Sequence, residues 1–154
     1  MNNTDFIVGL MKQGYNTAPC SLGFIPITRI QEYVASGQYV IQHDTRGRDV
    51  GYILHGIANP GGILHVTQSI IDVDHRNLGF GSLALAVVIA RAKQANCRAI
   101  KLRCAEDLVS NFFWRDSGFL MTNTLYPVNK RRRAIHVYVM DLWTGLFNWK
   151  EICP

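Results

Sequence analysis

The stretch from Ile63 to Ala95 constrains the fold more than any other part of the chain. It has the pattern of a strand over Ile63–Val73, a short loop over Arg76–Gly81 and a helix from Ser82 to about Ala95. The two loop glycines, at positions 79 and 81, permit positive backbone dihedral angles and leave no side chains in the way. The free N–H groups of the first helical turn, together with the helix dipole, then attract an anion. The stretch therefore predicts an anion site, most naturally for a diphosphate.

The spacing of the loop distinguishes it from two other phosphate-binding loops. A nucleoside-triphosphatase loop ends in Gly-Lys-Ser or Gly-Lys-Thr, and the sequence contains no such triplet. A dinucleotide fingerprint needs a third glycine, which is missing after Gly81. The pattern present is Arg-x-x-Gly-x-Gly, formed by Arg76, Gly79 and Gly81. It resembles the pyrophosphate signature of the GCN5-related N-acetyltransferases, where this loop opens the helix that holds acetyl-coenzyme A. A strand-to-helix turn without a ligand is the alternative.

The remaining elements follow from apolar periodicity and from the turn residues between the apolar runs. Phe6–Met11 is apolar enough for either a first strand or a helix. The other predicted elements are a helix over Ile27–Ala35, strands over Tyr39–Gln42, Val50–Ala58 and Ala99–Cys104, a helix over Leu108–Asp116, and strands over Phe119–Leu125 and Ala134–Leu142. Their order resembles the acetyltransferase fold. It implies an α/β (α+β) architecture with a mixed, mostly antiparallel central sheet, flanking helices and a central β-α-β-α unit.

A second match to the family lies at the end of the last predicted helix. The family often has N-x-x-A-x-x-hydrophobic-Tyr-x-x-x-Gly-Phe there. The corresponding residues are Asp107, Ser110, Phe113, Trp114, Gly118 and Phe119. The second half of the pattern fits closely, whereas the first two positions are softer replacements. The resemblance covers roughly residues 24–142, and a single domain over residues 1–154 is expected, with the aromatic tail 143–154 packed on it.

The resemblance also implies which residues hold the coenzyme. In the family, backbone amides bind the thioester carbonyl and the pantetheine where two central strands separate, and by position these are Ile70, Ile71 and Asp72. The diphosphate contacts are expected along the loop and the helix start, at Arg76, Asn77, Leu78, Gly79, Phe80, Gly81 and Ser82. Asn111 and Trp114 of the last helix are further expected coenzyme contacts. Acetyl-CoA is the expected co-substrate, and no metal is expected.

Acetyl transfer to an amine needs a polarised thioester carbonyl and an amine that loses a proton. In the family the base is often an acidic residue or a histidine eleven residues before the loop's first position, which is His65 here. Imidazole titrates near neutral pH, which suits a proton acceptor. The alternative for His65 is a strand histidine hydrogen-bonded to a neighbour. Gln68, a polar residue in a strand expected to be otherwise buried, is expected to orient substrate or water.

The group that protonates the leaving thiolate is a separate point, and it concerns Trp114. Many relatives protonate the thiolate with a tyrosine at this position. An indole N–H donates a hydrogen bond but releases no proton in the accessible range. Trp114 is therefore expected to shape the acyl pocket, and the thiolate, with a reference pKa of about 8.5, is expected to take its proton from water.

Four residues are expected to contact the acceptor, on position alone. His55 lies beside Gly56 in the predicted strand Val50–Ala58, where it could line the acceptor groove. Tyr126, Asn129 and Arg131 lie between the last two strands, where the family builds one wall of the acceptor site. The acceptor itself is left open between a small molecule, a protein amine and a nucleic-acid amine.

The net charge of +5 is unevenly placed, because Lys130–Arg133 supplies four consecutive positive charges. Such a run can be a solvated loop, a contact for the 3′-phosphate of the coenzyme or a patch that binds nucleic acid. Charge alone does not choose between them, and nucleic acid is the less favoured partner.

The composition indicates a soluble globular protein, since 48% hydrophobic and 18% charged residues exclude intrinsic disorder. No apolar run is long enough for a transmembrane helix, and the N-terminus lacks the basic region of a signal peptide. The four cysteines show no metal-binding spacing, which favours reduced thiols in a cytoplasmic protein with no membrane partner.

Together these features predict an acetyl-CoA-dependent N-acetyltransferase that acts on a primary amine, as a monomer or a homodimer. The alternative is a non-catalytic module of the same fold that binds coenzyme A or a partner as a sensor. Replacement of the usual tyrosine by Trp114 is the main support for that alternative.

Overall fold

The structure, a computed structural model, describes residues 1–17, 23–128 and 132–142. The predicted packing of the tail 143–154 lies outside these residues. The elements in chain order are α1 (Asn3–Tyr15), α2 (Ile27–Ala35), β1 (Tyr39–His43), β2 (Asp49–His55), β3 (Ile63–Ile71), a 3₁₀ turn (Val73–His75), α3 (Phe80–Gln94), β4 (Ala99–Ala105), α4 (Ser110–Asp116), β5 (Leu120–Leu125) and β6 (Ile135–Asp141).

The six strands form one open sheet in the order β1-β2-β3-β4-β6-β5. The pairs β1–β2, β4–β6 and β5–β6 are antiparallel. β3 and β4 are parallel and pair over Ile63–Val66 and Ala99–Leu102, so α3 is the crossover that a parallel pair requires. The predicted fold class is confirmed: the sheet is mixed and mostly antiparallel, and the described residues also form four helices and a β3-α3-β4-α4 unit.

The chain divides into two compact units, and the division passes through β3 and α3. The first unit consists of Met1–Gly56 and Thr67–Ala90. The second consists of Ile57–Val66 and the described chain from Arg91 onward. The expected single domain stays a prediction.

The core of the first unit lies between its two N-terminal helices and the strands β2 and β3. Phe6–Met11, predicted as a strand or a helix, is part of α1, whose first turn is capped by the Asn2 side chain accepting a hydrogen bond from the Asp5 N–H at 2.9 Å. The buried cluster consists of Ile7, Leu10, Met11, Ile30, Tyr33, Tyr52, Leu54 and Ile70. Full burial of each aliphatic side chain stabilises the fold by about 1.5–3 kcal/mol.

The second unit is built around β4, which is buried at every position except Arg103. A strand with neighbours on both sides and a largely apolar sequence is expected to be buried on both faces. Cys97 and Cys104 are free and buried near its two ends. Among the described residues, no helix is both long and apolar enough to cross a membrane.

Candidate functional site

In the first unit, β3 leads into α3 through a tightly hydrogen-bonded turn. The Asp72 N–H donates to the Val50 carbonyl at 2.8 Å and so still pairs with the first residues of β2. The His75 N–H then donates back to the Asp72 carbonyl at 2.9 Å, which closes the 3₁₀ turn. The strand predicted to reach Val73 therefore ends at Ile71, because Asp72 already belongs to this turn.

The glycine loop turns through two residues in the left-handed region. Asn77 has a φ of 60° and Gly79 has a φ of 87°. The Gly79 carbonyl accepts the Leu83 N–H at 3.1 Å, so the helical hydrogen bonds start here and α3 begins at Phe80. The predicted helix start at Ser82 is thus two residues late. Of the two glycines expected to permit a positive φ, Gly79 adopts one, whereas Gly81 lies in the first helical turn.

The anion site expected at this loop stays a prediction, and the loop has backbone features that such a site needs. Left-handed residues alternating with other conformations direct successive N–H groups to one side, and the N–H groups of the first turn of α3 have no partner inside the helix. A Cβ placed on Gly79 would meet no atom within 4 Å, so that side of the loop is open. Convergent N–H groups at an open helix N-terminus are the donors that a diphosphate uses.

Arg76 adds a positive charge to the loop and is exposed. Its Nε–H donates to the Ile71 carbonyl at 2.9 Å. An arginine carries five N–H donors, so the remaining donors of the guanidinium can serve a phosphate while this contact orients the side chain.

The backbone ahead of the loop, where the pantetheine contacts are predicted, lies close to β2 at Gly51. A Cβ on Gly51 would be 2.8 Å from the Ile70 carbonyl oxygen and would overlap the Cδ1 of Ile71. Real Cβ atoms do not approach a backbone oxygen this closely, so only glycine allows this approach of the two strands.

Gln68 is 6% exposed, and both ends of its side-chain amide have partners in the first unit. The Tyr52 hydroxyl donates to Oε1 at 2.6 Å, and Nε2 donates to the Gly23 carbonyl at 2.7 Å. Burial also raises the pKa of Tyr52, so its hydroxyl stays protonated and remains a donor. These contacts are those of a structural residue, and the catalytic role expected for Gln68 stays a prediction.

In the second unit, His65 lies on β3 opposite Lys101 of β4. The imidazole keeps an exposed surface, and partial desolvation, followed by the charges of Lys101 and Arg103, lowers its pKa from the ordinary value of 6.5. His65 is therefore neutral at physiological pH and able to accept a proton. Burial alternates along β3, so His65 is exposed whereas Gln68 is buried.

Asn111 holds the turn between β4 and α4. Its Nδ2 donates to the carbonyls of Ala105 at 2.8 Å and Leu108 at 2.7 Å. Its Oδ1 accepts the Tyr138 hydroxyl of β6 at 2.7 Å. The amide is thus engaged within the protein, and the expected contact between Asn111 and the coenzyme stays a prediction.

Trp114 is 6% exposed and packs edge-on against two aromatic rings. Its ring centroid lies 4.8 Å from that of Phe113 and 5.5 Å from that of Phe119. Such edge-to-face pairs contribute about 0.5–1.5 kcal/mol each beyond the area that they bury. The expected contact between Trp114 and the acyl group stays a prediction.

The four expected acceptor contacts differ in their surroundings. His55 is 4% exposed, and its Nδ1 lies 2.8 Å from the Gly56 carbonyl oxygen, so little of its surface is left for an acceptor. Tyr126 is 79% exposed. Asn129 and Arg131 lie outside the described residues. All four roles stay predictions.

One charge of the basic run has a partner. The Nε of Arg133 donates to both carboxylate oxygens of Asp107, at 2.8 and 3.0 Å, and its Nη2 lies 2.6 Å from Oδ1. This forked contact restrains Arg133 at the end of the run.

In residues 1–17, 23–128 and 132–142, no three His, Cys, Asp or Glu side chains are grouped as metal ligands.

Sequence reasoning did not single out Lys101 and Arg103 as neighbours of His65. A partial signal existed, because two basic residues alternate in an otherwise apolar strand. Their proximity to His65 depends on the parallel register of β3 and β4, which no local pattern encodes.

Comparison with known proteins places these features in a family. The model of the acetyltransferase (GNAT) family matches residues 12–119. No curated protein matches the chain. The structure is similar to Ard1 from Thermoplasma volcanium, with a TM-score of 0.74 and 14% identity over 92% of this chain and 95% of that chain.

Two further solved structures share the fold. The ribosomal-protein-alanine N-acetyltransferase from Brucella melitensis has a TM-score of 0.72 and 15% identity over 91% of this chain and 94% of that chain. The N-acetylglutamate synthase from Neisseria gonorrhoeae, complexed with coenzyme A and N-acetyl-glutamate, has a TM-score of 0.73 and 14% identity over 93% of this chain and 34% of that chain. At these identities the similarity shows the fold alone.

Proposed function

The chain belongs to the acetyltransferase (GNAT) family, and on that premise we propose that it is an acetyl-CoA-dependent N-acetyltransferase acting on a primary amine. The observation that carries the proposal is the open loop before α3, with Asn77 and Gly79 in the left-handed region and Arg76 beside them. Convergent N–H groups, a helix N-terminus and a guanidinium together suit a diphosphate. The backbone of Ile70–Asp72, directly ahead of the loop, then receives the pantetheine and the thioester carbonyl.

The base in this proposal is His65. The amine nitrogen attacks the thioester carbonyl, a C–N bond forms and the C–S bond breaks. The neutral imidazole takes the proton that the amine loses, and water supplies a proton to the departing thiolate. The lowered pKa of His65 supports the role, because the imidazole is unprotonated at neutral pH.

The charges of Lys101 and Arg103 support the same chemistry at the amine. Both are close enough to His65 to lower its pKa. A positive potential also disfavours the ammonium form of a nearby acceptor, and so increases the fraction of neutral, nucleophilic amine.

The named structural neighbours support the donor more than the acceptor. The Neisseria gonorrhoeae synthase is complexed with coenzyme A, which favours a coenzyme A thioester as the co-substrate here. The Brucella melitensis neighbour is named for a protein amine, whereas the synthase is complexed with an N-acetylated amino acid. We therefore keep the acceptor open between a small molecule and a protein amine. A nucleic-acid amine is less favoured, since Arg133 of the basic run is paired with Asp107.

The test is thiol release from acetyl-CoA in the presence of primary amines: amino acids, polyamines, peptides with a free N-terminus, peptides with a free lysine, and aminoacylated RNA. The same compounds with acetyl-blocked amines are the control. The proposal expects acceptor-dependent thiol release and an acetylated product by mass spectrometry. Binding of acetyl-CoA without acetylation of any acceptor class would contradict it and favour the sensor module.

A further inference from the structure

A histidine directly before the glycine loop contacts two carboxylates from different elements of the first unit. The Nδ1 of His75 lies 3.1 Å from the Oδ2 of Asp72, at the start of the 3₁₀ turn. Its Nε2 lies 3.8 Å from the Oδ2 of Asp44, in the turn between β1 and β2. The imidazole ring also contacts the Phe80 ring at the start of α3, with centroids 6.1 Å apart.

The Asp44 side of this arrangement is rigid. Its Oδ1 accepts the N–H groups of Arg46 and Arg48, both at 2.9 Å, and its Oδ2 accepts from the Arg48 guanidinium at 2.7 Å. The side chain is only 5% exposed. The backbone N–H of Arg48, together with its side chain, lowers the pKa of Asp44 to about 2, so the carboxylate is ionised at neutral pH. Asp44 is thus a fixed negative group beside His75.

Asp72, the other carboxylate, belongs to the backbone that is expected to contact the coenzyme. The Asp72 N–H donates to Val50 at 2.8 Å, and the Arg76 side chain donates to the Ile71 carbonyl at 2.9 Å. His75 lies between these two attachments and directly precedes Arg76. A side chain that joins Asp72 to the β1–β2 turn therefore restricts the backbone from which Arg76 and the loop extend.

We propose that His75 is a positioning residue for the coenzyme: by contacting Asp72 and Asp44 together, it holds the backbone before the glycine loop against the β1–β2 turn. In this role His75 acts through the backbone before the loop and not through a contact of its own with the coenzyme. Without it, the loop has to be ordered when the coenzyme binds, and that ordering weakens the affinity. The inference rests on the proposed function, because it assumes that this loop binds acetyl-CoA.

The experiment is calorimetric titration of the full chain with acetyl-CoA. Loss of one hydrogen bond corresponds to about a three- to tenfold change in affinity, so His75→Ala is expected to bind more weakly by that factor. Turnover at saturating coenzyme is expected to stay unchanged, which separates positioning from chemistry. His75→Asn keeps a donor near the position of Nδ1 but loses the contact of Nε2 with Asp44, so it should recover only part of the affinity.

The β1–β2 hairpin, which contains Asp44, also provides a matched control. His43 makes a comparable histidine–aspartate contact, with its Nδ1 2.7 Å from the Oδ1 of Asp49. His43→Ala should therefore leave the affinity for acetyl-CoA unchanged. A double-mutant cycle of His75→Ala with Asp44→Asn should show coupling, since both changes remove the same contact.

Two results would overturn the inference while leaving the proposed function intact. One is an unchanged affinity in His75→Ala. The other is a loss of affinity that His75→Asn does not recover and that does not couple to Asp44→Asn. Failure of the parent chain to bind acetyl-CoA would overturn both proposals. Amide hydrogen exchange gives a second readout, since His75→Ala should speed exchange at the amides of residues 75 and 76 but not in β1.

Discussion

The Nε of Arg76 lies 2.9 Å from the carbonyl oxygen of Ile71, so the arginine expected to bind the diphosphate also donates to the strand expected to hold the pantetheine. This contact orients the side chain next to the loop. A side chain that is already oriented loses less conformational entropy when a ligand binds.

Replacement of Arg76 by lysine tests this double role. Arg76→Lys keeps the positive charge but loses the forked guanidinium, which can donate to Ile71 and a phosphate at the same time. We expect about tenfold weaker binding of acetyl-CoA by calorimetry, with little change in thermal stability. Arg46→Lys, at an exposed position of the β1–β2 turn, is the control and should bind as the parent does. Equal affinities for the two variants would remove Arg76 from the coenzyme site.

Gly51→Ala is expected to disturb the backbone ahead of the loop. The new Cβ would sit 2.8 Å from the Ile70 carbonyl oxygen, and no rotamer change relieves contact with a backbone atom. We expect the free energy of unfolding to fall by about 1–3 kcal/mol and the affinity for acetyl-CoA to fall with it.

Gly9→Ala is the matched control for Gly51→Ala. Gly9 is exposed in α1, and a Cβ there would meet no atom within 4 Å. Alanine favours a helix over glycine by about 1 kcal/mol, so this change should stabilise the protein slightly. Chemical denaturation of both variants measures the difference, and a Gly51→Ala variant as stable as the parent would show that the strands separate easily.

His65 is expected to set the acidic limb of the pH–rate profile. Desolvation, Lys101 and Arg103 lower its pKa below the ordinary 6.5, so the neutral form persists at more acid pH and the limb of kcat/KM lies below pH 6.5. Arg103→Gln removes one of these charges and should move the acidic limb to higher pH.

His65→Gln should lower turnover by about 10²–10⁴-fold without changing coenzyme affinity. The loss should shrink at high pH, where the free amine is more abundant. A His65→Gln profile that overlays the parent would exclude His65 as the base.

Trp114 is expected to act through packing. Trp114→Phe removes the indole N–H but keeps an aromatic ring between Phe113 and Phe119, so turnover should stay close to that of the parent. Trp114→Ala should lower the free energy of unfolding by about 3–5 kcal/mol. Steady-state kinetics and thermal unfolding measure the two effects. A folded Trp114→Phe variant that loses turnover as strongly as His65→Gln would instead give the indole N–H a chemical role.

The sequence predicted the elements well where the pattern was local. The strand–loop–helix unit could be read because its turn needs glycine at position 79, and the structure has a positive φ there. Its boundaries moved by two residues because the hydrogen bonds of Asp72 and Gly79, rather than residue preferences, decide where β3 ends and α3 begins.

Contacts between distant segments were beyond sequence reasoning. Gln68 is buried and hydrogen-bonded to Tyr52 and Gly23, and the Asn111 side chain accepts a hydrogen bond from Tyr138. Both are nevertheless polar residues of the kind expected in a site. The contact between His75 and Asp44 joins residues that are far apart in the chain. Whether a polar side chain serves a ligand or the fold depends on such pairings.

The most direct measurement of the central claim is calorimetric titration of acetyl-CoA into the parent chain and into Gly81→Val. Gly81 lies in the first turn of α3, where a branched side chain would stand before the N–H groups that are expected to receive the diphosphate. Gly9→Val, an exposed helix position with open space around it, controls for the helix propensity of valine. The account predicts saturable binding by the parent and by Gly9→Val, and loss of binding by Gly81→Val with the fold retained. Unchanged affinity in Gly81→Val would contradict it.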